Sequence, residues 1–251
     1  MTPTLEALAE DTATHLLPRA GFDQIDRSEY FFEAGPLRAA VHRIRLGDVE
    51  AAVAWTRNEG QRRGVKTVEW WAGWHAQPAN LGERLLALGL APDDPPVLTG
   101  MTCETEPPPG PPEVEVELIE TVDEQLAALE IDWDVWRVPA GERLKRREIE
   151  RGRFEALRAV SQHYAAYLDG QLMGFGRGEF MDVGIALMGG AVRPEARGRG
   201  LYRALVHARW QHAVRRGTPL LVVQAGPMSE PILTGLGFES HGELRLYVDR
   251  L

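Results

Sequence analysis

The segment that most constrains this chain is an arginine- and glycine-rich turn between an apolar strand and an amphipathic helix. It runs Ala191-Val-Arg-Pro-Glu-Ala-Arg-Gly-Arg-Gly-Leu-Tyr-Arg-Ala-Leu205. Gly198 and Gly200 have no Cβ, so the backbone is free to turn tightly there and to approach a ligand closely. The first N–H groups of the following helix have no partner within the helix and lie at the positive end of its dipole. Together with Arg197 and Arg199, they predict a receptor for phosphate oxygens.

Two common phosphate-binding motifs do not fit this turn. No Lys followed by Ser or Thr comes after it, as a P-loop requires, and Arg203 occupies the third glycine position of a dinucleotide-binding fingerprint. The run Arg197-Gly-Arg-Gly-Leu-Tyr202 resembles the acetyl-CoA loop, Gln/Arg-x-x-Gly-x-Gly/Ala, of the GNAT superfamily of N-acetyltransferases, with Tyr202 at the small final position. Val192-x-Pro194 before the loop and Leu236-Gly-Phe238 after it also resemble that superfamily. The resemblance implies that acetyl-CoA is the co-substrate and that an amine receives the acetyl group.

The resemblance also implies which residues surround acetyl-CoA. The last residues of the strand before the loop are expected to pair with the pantetheine and to orient the thioester carbonyl. The loop and the first turn of the helix are expected to hold the phosphates. The residues expected to bind the co-substrate are Gly190, Ala191, Val192, Arg197, Gly198, Arg199, Gly200, Leu201 and Tyr202.

The catalytic side chains are less clear. A free alkylamine has a pKa of about 10, so a base must remove a proton before the amine attacks. Many relatives carry a Tyr acid where this chain has Leu233, and some carry a Glu where it has Ala186. Glu179, at the turn into the strand, and Ser229, at the start of the short helix, are the candidates that replace them. The alternative interpretations are an exposed turn carboxylate and a helix N-cap.

An acidic and aromatic segment is the candidate acceptor site. Asp132-Trp-Asp-Val-Trp136 ends the first helix of the second half, which lines the acceptor cleft in relatives. Two carboxylates beside an aromatic ring suit a cationic amine through charge and cation–π contact. We therefore predict a small cationic amine as acceptor, with Asp132, Trp133, Asp134 and Trp136 as its contacts. Core packing of the tryptophans is the alternative.

A faint internal repeat relates the two halves of the chain. Arg62-Arg-Gly64 recurs as Arg215-Arg-Gly217, an offset of 217 − 64 = 153, and Ala72-Gly73 recurs as Ala225-Gly226, at 226 − 73 = 153. Each Arg-Arg-Gly closes an amphipathic helix, with glycine at the expected C-terminal position. An apolar strand, a short helix ending in Leu-Gly-apolar and a final strand follow in both halves. Four features in the same order predict descent from one repeated unit.

The first half has lost the charges of the loop. At the same offset the loop corresponds to Ile44-Arg-Leu-Gly-Asp48, in which Ile44 and Leu46 replace the two arginines and Asp48 adds a repelling charge. We expect this half to be a degenerate, partial GNAT-like unit that does not bind CoA and that covers the second half or shapes its cleft.

A proline-rich segment, Glu104-Thr-Glu-Pro-Pro-Pro-Gly-Pro-Pro112, lies between the halves and favours an extended, semi-rigid spacer. The predicted organisation is a degenerate domain over 1–106, a linker over 107–112 and a GNAT acetyltransferase domain over 113–251. The order strand, two helices, three strands, helix, strand, helix, strand resembles the GNAT fold. The expected class is therefore α/β (α+β), with a mixed central sheet flanked by helices and a second, partial unit at the N-terminus.

Composition narrows the remaining possibilities. A net charge of −9 argues against a general nucleic-acid binder, and no apolar run reaches membrane-spanning length. The single cysteine, Cys103, and the lack of a visible secretory signal indicate a cytoplasmic protein, and no histidine spacing suggests a metal site. A homodimer remains compatible with the sequence. The competing function is a non-catalytic acyl-CoA-binding or sensing module, and a third is a protein-interaction scaffold.

Overall fold

The computed structural model describes residues 2–251 and contains one mixed sheet of eleven strands with helices on both faces. The helices are α1 (Leu5–Glu10), α2 (Val49–Arg62), α3 (Leu81–Ala87), α4 (Val122–Val135), α5 (Ala140–Leu157), α6 (Leu201–Arg215) and α7 (Glu230–Gly235). The strands are β1 (Asp23–Asp26), β2 (Phe31–Ala34), β3 (Ala39–His42), β4 (Thr67–Ala72), β5 (Ala91–Cys103), β6 (Val114–Leu118), β7 (Ser161–Leu168), β8 (Gln171–Phe180), β9 (Ile185–Val192), β10 (Leu221–Ala225) and β11 (Glu239–Arg250). The strand order is β1-β2-β3-β4-β11-β5-β10-β9-β8-β7-β6. The predicted fold class is confirmed.

Local sequence explains the elements of the second half. Thr121 caps α4 and Glu124 reaches back to the cap, which forms a capping box. Asp169 and Gly170 both have positive φ, 53° and 72°, as the two-residue turn of the β7–β8 hairpin requires. The predicted order of strands and helices over 113–251 is the observed one.

The two faces of the sheet carry different helices. Phe175 of β8 packs with α4 residues in one buried cluster, whereas a side chain at its neighbours Gly174 and Gly176 would meet Leu205 of α6. Since successive strand residues point to opposite faces, α4 and α6 lie on opposite sides of the sheet. Any ligand between β9 and β10 is therefore approached from two distinct sides.

The two halves exchange their last strands. β5, from the first half, lies between β10 and β11, and β11, from the second half, lies between β5 and β4. Leu221 pairs with Cys103, and Arg250 pairs with Thr67. Each penultimate strand thus takes its antiparallel neighbour from the other half. The proline-rich segment separates the halves along the chain, but the sheet continues across both.

Backbone conformations support the repeat. Gly64 and Gly217 have φ of 70° and 76°, and Gly89 and Gly237 have φ of 89° and 94°. These left-handed positions follow helices α2, α6, α3 and α7 in turn, where glycine carries no steric penalty. The equivalent residues of the two halves therefore end equivalent helices in the same way.

The segment before β1 covers one face of the central strands. Leu8 of α1 packs in a buried cluster with Ala186 of β9, while Ile185 and Leu187 pack with α6 residues on the other face. The first half therefore covers β9 on the face opposite α6. Among residues 2–251, none of the helices combines the length and the apolar character needed to cross a membrane.

Candidate active site

The site begins where two parallel strands separate. β9 and β10 pair at Ile185–Leu221 and at Ala186–Val222, and no further pair joins them in residues 2–251. Beyond this point the β10 side of β9, from Leu187 to Val192, has no strand neighbour. An unpaired strand edge offers backbone donors and acceptors to an extended ligand. The predicted pantetheine residues Gly190, Ala191 and Val192 all lie on this edge.

The Arg/Gly loop, Arg197–Gly200, lies directly after that strand. Gly198 and Gly200 have φ of 75° and 81°, and Gly200 precedes the first residue of α6. Arg197 and Arg199 are exposed, and Arg197 Nε donates to the carbonyl oxygen of Val192 at 3.4 Å. The loop thus combines a helix N-terminus with two free cations, which is the arrangement predicted for phosphate binding.

A cavity of about 490 Å³ opens beside the loop. Gly198, Arg199 and Arg203 line it on one side, and Pro231 and Leu236 of the α7 region line it on the other. It therefore places two arginines, together with the carboxylate-bearing Glu113, around a space large enough for part of a nucleotide.

The proline-rich linker is docked along α6 rather than free. Gln211 Nε2 donates to Glu106 Oε1 at 2.6 Å, and His207 Nδ1 lies 2.9 Å from the carbonyl oxygen of Pro107. Pro111 then covers the loop, because a Cβ on Gly200 would lie 2.5 Å from Pro111 Cγ. The linker ends as one wall of the cavity.

A bulge in β9 precedes the loop. Gly176 pairs with Gly190 and Gly178 with Leu187, so Met188 and Gly189 together face one residue of β8. Gly189 has φ of 117°, a conformation that favours glycine. Bulges re-aim backbone groups next to active sites. Here two arginines hold the exposed carbonyls: Arg177 Nε donates to Met188 O at 2.8 Å, and Arg209 Nη1 donates to Gly189 O at 3.2 Å.

Glu179 is neither exposed nor free. It is 5 % exposed, its Oε2 accepts from Arg19 Nη1 at 2.5 Å, and its Oε1 lies 3.5 Å from Arg177 Nε. Arg19 also pairs with Glu33 of β2, so the cluster joins the N-terminal segment to both halves. The expectation of an exposed turn carboxylate is wrong, because tertiary packing supplies two guanidinium partners. A carboxylate held this way suits positioning better than proton transfer.

The four predicted acceptor residues differ in burial and in their partners. Trp133 is 2 % exposed in the core under α4, and Asp134 points outward to Arg143 at 2.8 Å. Asp132 is half-buried beside Trp136, and Trp136 is 58 % exposed. Helical geometry explains the division, since adjacent helix residues point in directions about 100° apart.

Burial raises the pKa of Asp132 above its usual value, and Arg177 partly opposes that effect. A raised pKa brings a carboxyl closer to the range in which a base is effective at neutral pH. Arg177 also donates to Met188 O, so Asp132 lies near the β9 bulge. This carboxyl was predicted as a substrate contact, and its environment equally suits a base.

The positions of the two missing side chains are closed. Ala186 is 0 % exposed and packs in the cluster that contains Leu8, and Leu233 of α7 is 0 % exposed in the cluster beneath that helix. Ser229 occupies the N-cap position of α7, but its Oγ donates to Gly226 O at 3.1 Å and makes no capping hydrogen bond. Its hydroxyl is held at the turn after β10.

Sequence reasoning missed Arg19, Arg177 and Arg209. Only Arg209 left a signal: Leu201, Leu205 and Arg209 recur every four residues, so a charge occupies the buried stripe of α6. Across residues 2–251, no group of three or more His, Cys, Asp or Glu side chains is arranged to hold a metal ion.

Comparison with known proteins agrees with this geometry. Residues 126–227 match the model of the acetyltransferase (GNAT) family. This match shows a GNAT-family domain over residues 126–227, within the second half of the chain. No curated protein sequence matches the chain.

Solved structures share the fold over nearly the whole chain. A GCN5-related N-acetyltransferase from Kribbella flavida is 17 % identical, with a TM-score of 0.69 over 99 % of this chain and 96 % of its own. A tandem GNAT protein from the clavulanic acid biosynthesis pathway is 16 % identical, with a TM-score of 0.61 over 99 % of this chain and 88 % of its own. A conserved protein of unknown function from Staphylococcus epidermidis is 11 % identical, with a TM-score of 0.67 over 93 % of this chain and 96 % of its own. At these identities the likeness concerns the fold, and it extends across both halves.

Proposed function

We propose that this GNAT chain is an acetyl-CoA-dependent N-acyltransferase that acetylates a small cationic amine. One observation carries the proposal: the unpaired edge of β9 leads directly into the Arg/Gly loop and its cavity of about 490 Å³. Pantetheine would lie along Gly190–Val192, and the phosphates would lie on Arg197, Arg199 and the first turn of α6. The amine would approach from the α4 side.

A charge reversal in the loop tests the co-substrate site. Arg199→Glu removes a cavity-lining cation and places a carboxylate beside the phosphates. Arg215→Glu, in the last turn of α6, makes the same change in net charge at an exposed position outside the cavity. A charge-assisted hydrogen bond contributes about 1.5–3 kcal/mol, so Arg199→Glu should weaken acetyl-CoA binding by roughly 10- to 150-fold.

Calorimetric titration of acetyl-CoA measures the effect. Wild type and Arg215→Glu should bind with nearly equal affinity. Absence of binding by wild type, or equal weakening by both variants, refutes the assignment.

The first half should bind no CoA. Its equivalent helix N-terminus is occupied by carboxylates, since Ala51 N donates to Asp48 Oδ1 at 3.0 Å and Gly47 N donates to Glu29 Oε1 at 3.1 Å. Gly47 does not take the left-handed conformation of Gly200. The same titration should give one CoA per chain, and a stoichiometry of two contradicts this part of the proposal.

Asp132 and Trp136 are the residues that best fit the amine. A half-buried carboxylate beside an exposed indole provides both a charge and a π face for a cation. We assign Asp132 as the base that accepts the amine proton. Loss of a general base lowers turnover by about 10²–10⁴-fold.

The test compares neighbouring carboxylates after an amine-panel screen has identified an acceptor. Asp132→Asn should lower kcat strongly, whereas Asp134→Asn should leave it nearly unchanged because Asp134 pairs with Arg143 and Arg193 on the surface. Trp136→Ala should raise the acceptor KM by about three- to thirty-fold without changing CoA affinity. Equal losses from both Asp variants would place the amine elsewhere.

The second candidate is a non-catalytic acyl-CoA-binding module. It is favoured by the closed positions of Leu233 and Ala186, and by the bulky Tyr202 where a small residue is expected. It predicts acetyl-CoA binding of normal affinity and only slow hydrolysis, which no amine in the panel accelerates.

A further inference from the structure

Arg209 of α6 is a buried cation with no counter-charge. The residue is 1 % exposed, and no carboxylate lies within 4.0 Å of its guanidinium in residues 2–251. Its partners are carbonyl oxygens: Leu205 O accepts from Nε at 3.0 Å, and Gly189 O and Arg177 O accept from Nη1 at 3.2 and 3.3 Å. Its Nη2 has no partner. An unpaired buried charge is costly, so its presence requires an explanation.

The side chain of Arg209 packs against strand β8. A Cβ on Gly176 would lie 3.4 Å from Arg209 Cζ, and one on Gly178 would lie 3.8 Å from Arg209 Cδ. Both distances are those of ordinary van der Waals contact, so the side chain packs directly on β8. The arginine therefore lies against the sheet directly behind the β9 bulge.

The free donor lies next to the assigned acyl-CoA edge. Nη2 is 3.8 Å from the position that a Cβ on Gly190 would take, and the ring of Tyr202 is 3.2 Å from the same position. Gly190 follows the bulge and begins the edge assigned to pantetheine. Nη1 of the same guanidinium donates to the carbonyl oxygen of Gly189, so this hydrogen bond ties the charged group to the β9 bulge.

We propose that Arg209 stabilises the negative charge that acyl transfer places on the thioester oxygen and on the departing CoA sulfur. The inference rests on the proposed function. The amine nitrogen bonds to the thioester carbon, and the carbonyl π pair moves to oxygen. When the carbonyl re-forms, the C–S bond breaks and sulfur leaves with its electron pair as thiolate. The amine proton goes to the base. Arg209 gives no proton; its charge favours both anions.

This assignment accounts for how a chain with Leu233 in place of a tyrosine acid expels CoA. A fixed cation in a water-poor site stabilises an anion far more than it would in water. A cation beside a thiol also lowers the thiol pKa, so the thiolate becomes a better leaving group. The same charge therefore acts in both steps of the transfer.

The direct measurement is the pKa of the CoA thiol in the bound state, followed by the ultraviolet absorbance of the thiolate. With saturating CoA, the wild-type complex should show a thiol pKa at least about one unit below that of free CoA. Arg209→Met removes the charge at similar volume and should return the pKa to the free value. Arg209→Lys keeps the charge but loses the planar guanidinium and its several donors, so the bound thiol should have an intermediate pKa.

A control variant separates this role from CoA binding. Arg203→Met removes a cavity-lining arginine that lies six residues before Arg209 on the same helix. It should weaken CoA binding yet leave the bound thiol pKa at the wild-type value. In the transferase assay, Arg209→Met should lower kcat by about 10²-fold with little change in the KM for acetyl-CoA.

The outcomes are distinguishable. If wild type does not bind CoA, the proposed function fails. If wild type binds CoA with an unshifted thiol pKa, or if Arg209→Met shows the wild-type shift, the inference about Arg209 fails alone. Should Arg209→Met not fold, the wild-type pKa and the Arg209→Lys variant still decide it.

Discussion

Removal of Arg19 tests whether one buried ion cluster holds the two halves together. Arg19 lies before β1 and pairs with Glu33 of β2 and Glu179 of β8, with side chains 6 %, 9 % and 6 % exposed. Arg19→Met leaves two buried carboxylates without their shared cation. Loss of one partner of a buried pair costs about 3–5 kcal/mol. For a chain of this length the melting temperature should fall by roughly 6–20 °C.

A double-mutant cycle measures the interaction between Arg19 and Glu179 separately from the other effects of each substitution. Glu179→Gln should cost less than Arg19→Met because Arg19 keeps Glu33 as a partner. The double variant should be more stable than the sum of the single effects predicts, by about 1–3 kcal/mol. Urea denaturation measures all four free energies of unfolding at neutral pH. Arg151→Met is the matched control, since Arg151 pairs with Asp123 at 2.9 Å on the surface and should cost less than about 1 kcal/mol.

Two results would refute the reasoning. One is a loss for Arg19→Met no larger than that for Arg151→Met, and the other is strict additivity in the cycle. A third result bears on catalysis: if Glu179→Gln keeps full stability but abolishes turnover, Glu179 is the base and Asp132 is not.

Three further predictions follow from single side chains. Gly200→Ala and Gly198→Ala each place alanine in a left-handed conformation, which should lower the free energy of unfolding by about 1–2 kcal/mol. Only the methyl group of Gly200→Ala also meets Pro111 of the linker, so chemical denaturation should show an additional loss of about 1–3 kcal/mol for that variant. Asp11 is buried, and its pKa is raised from 3.8 to about 6. Its carboxylate therefore destabilises the fold increasingly as pH rises from about 4 to 6. Asp11→Asn should raise the free energy of unfolding by up to about 3 kcal/mol at pH 8 and by almost nothing near pH 4. Trp133→Ala should cost about 3–5 kcal/mol and Trp136→Ala less than about 0.5 kcal/mol in the same assay, because only the first side chain is buried; similar losses would mean that Trp136 also packs in the core.

Local features were predictable from the sequence because each depends on a few neighbouring residues. The positive φ of Gly198 and Gly200, the Asp169-Gly170 hairpin and the capping box of α4 all follow from residue types at fixed short spacings. The same is true of the order of elements over 113–251, since periodicity distinguishes helix from strand. The Arg/Gly loop belongs to this class, because one turn and one helix start contain it.

Long-range partners were not predictable. A final strand was expected in each half, but the exchange of these strands between the halves depends on which edges meet in space. The sequence around Glu179 predicts an exposed turn carboxylate. In the structure it is buried because Arg19, 160 positions earlier in the chain, donates to it. Trp133 and Trp136 have similar sequence surroundings and opposite burial.

The sequence by itself thus determined the repeated unit, the loop and the class of ligand that the loop is suited to hold. Only the tertiary structure decided which strands are shared, which carboxylates are neutralised and which cation lies unpaired behind the bulge. The physical reason is that backbone conformation is set mainly by adjacent residues, whereas charge and burial at a site are set by every element that packs against it.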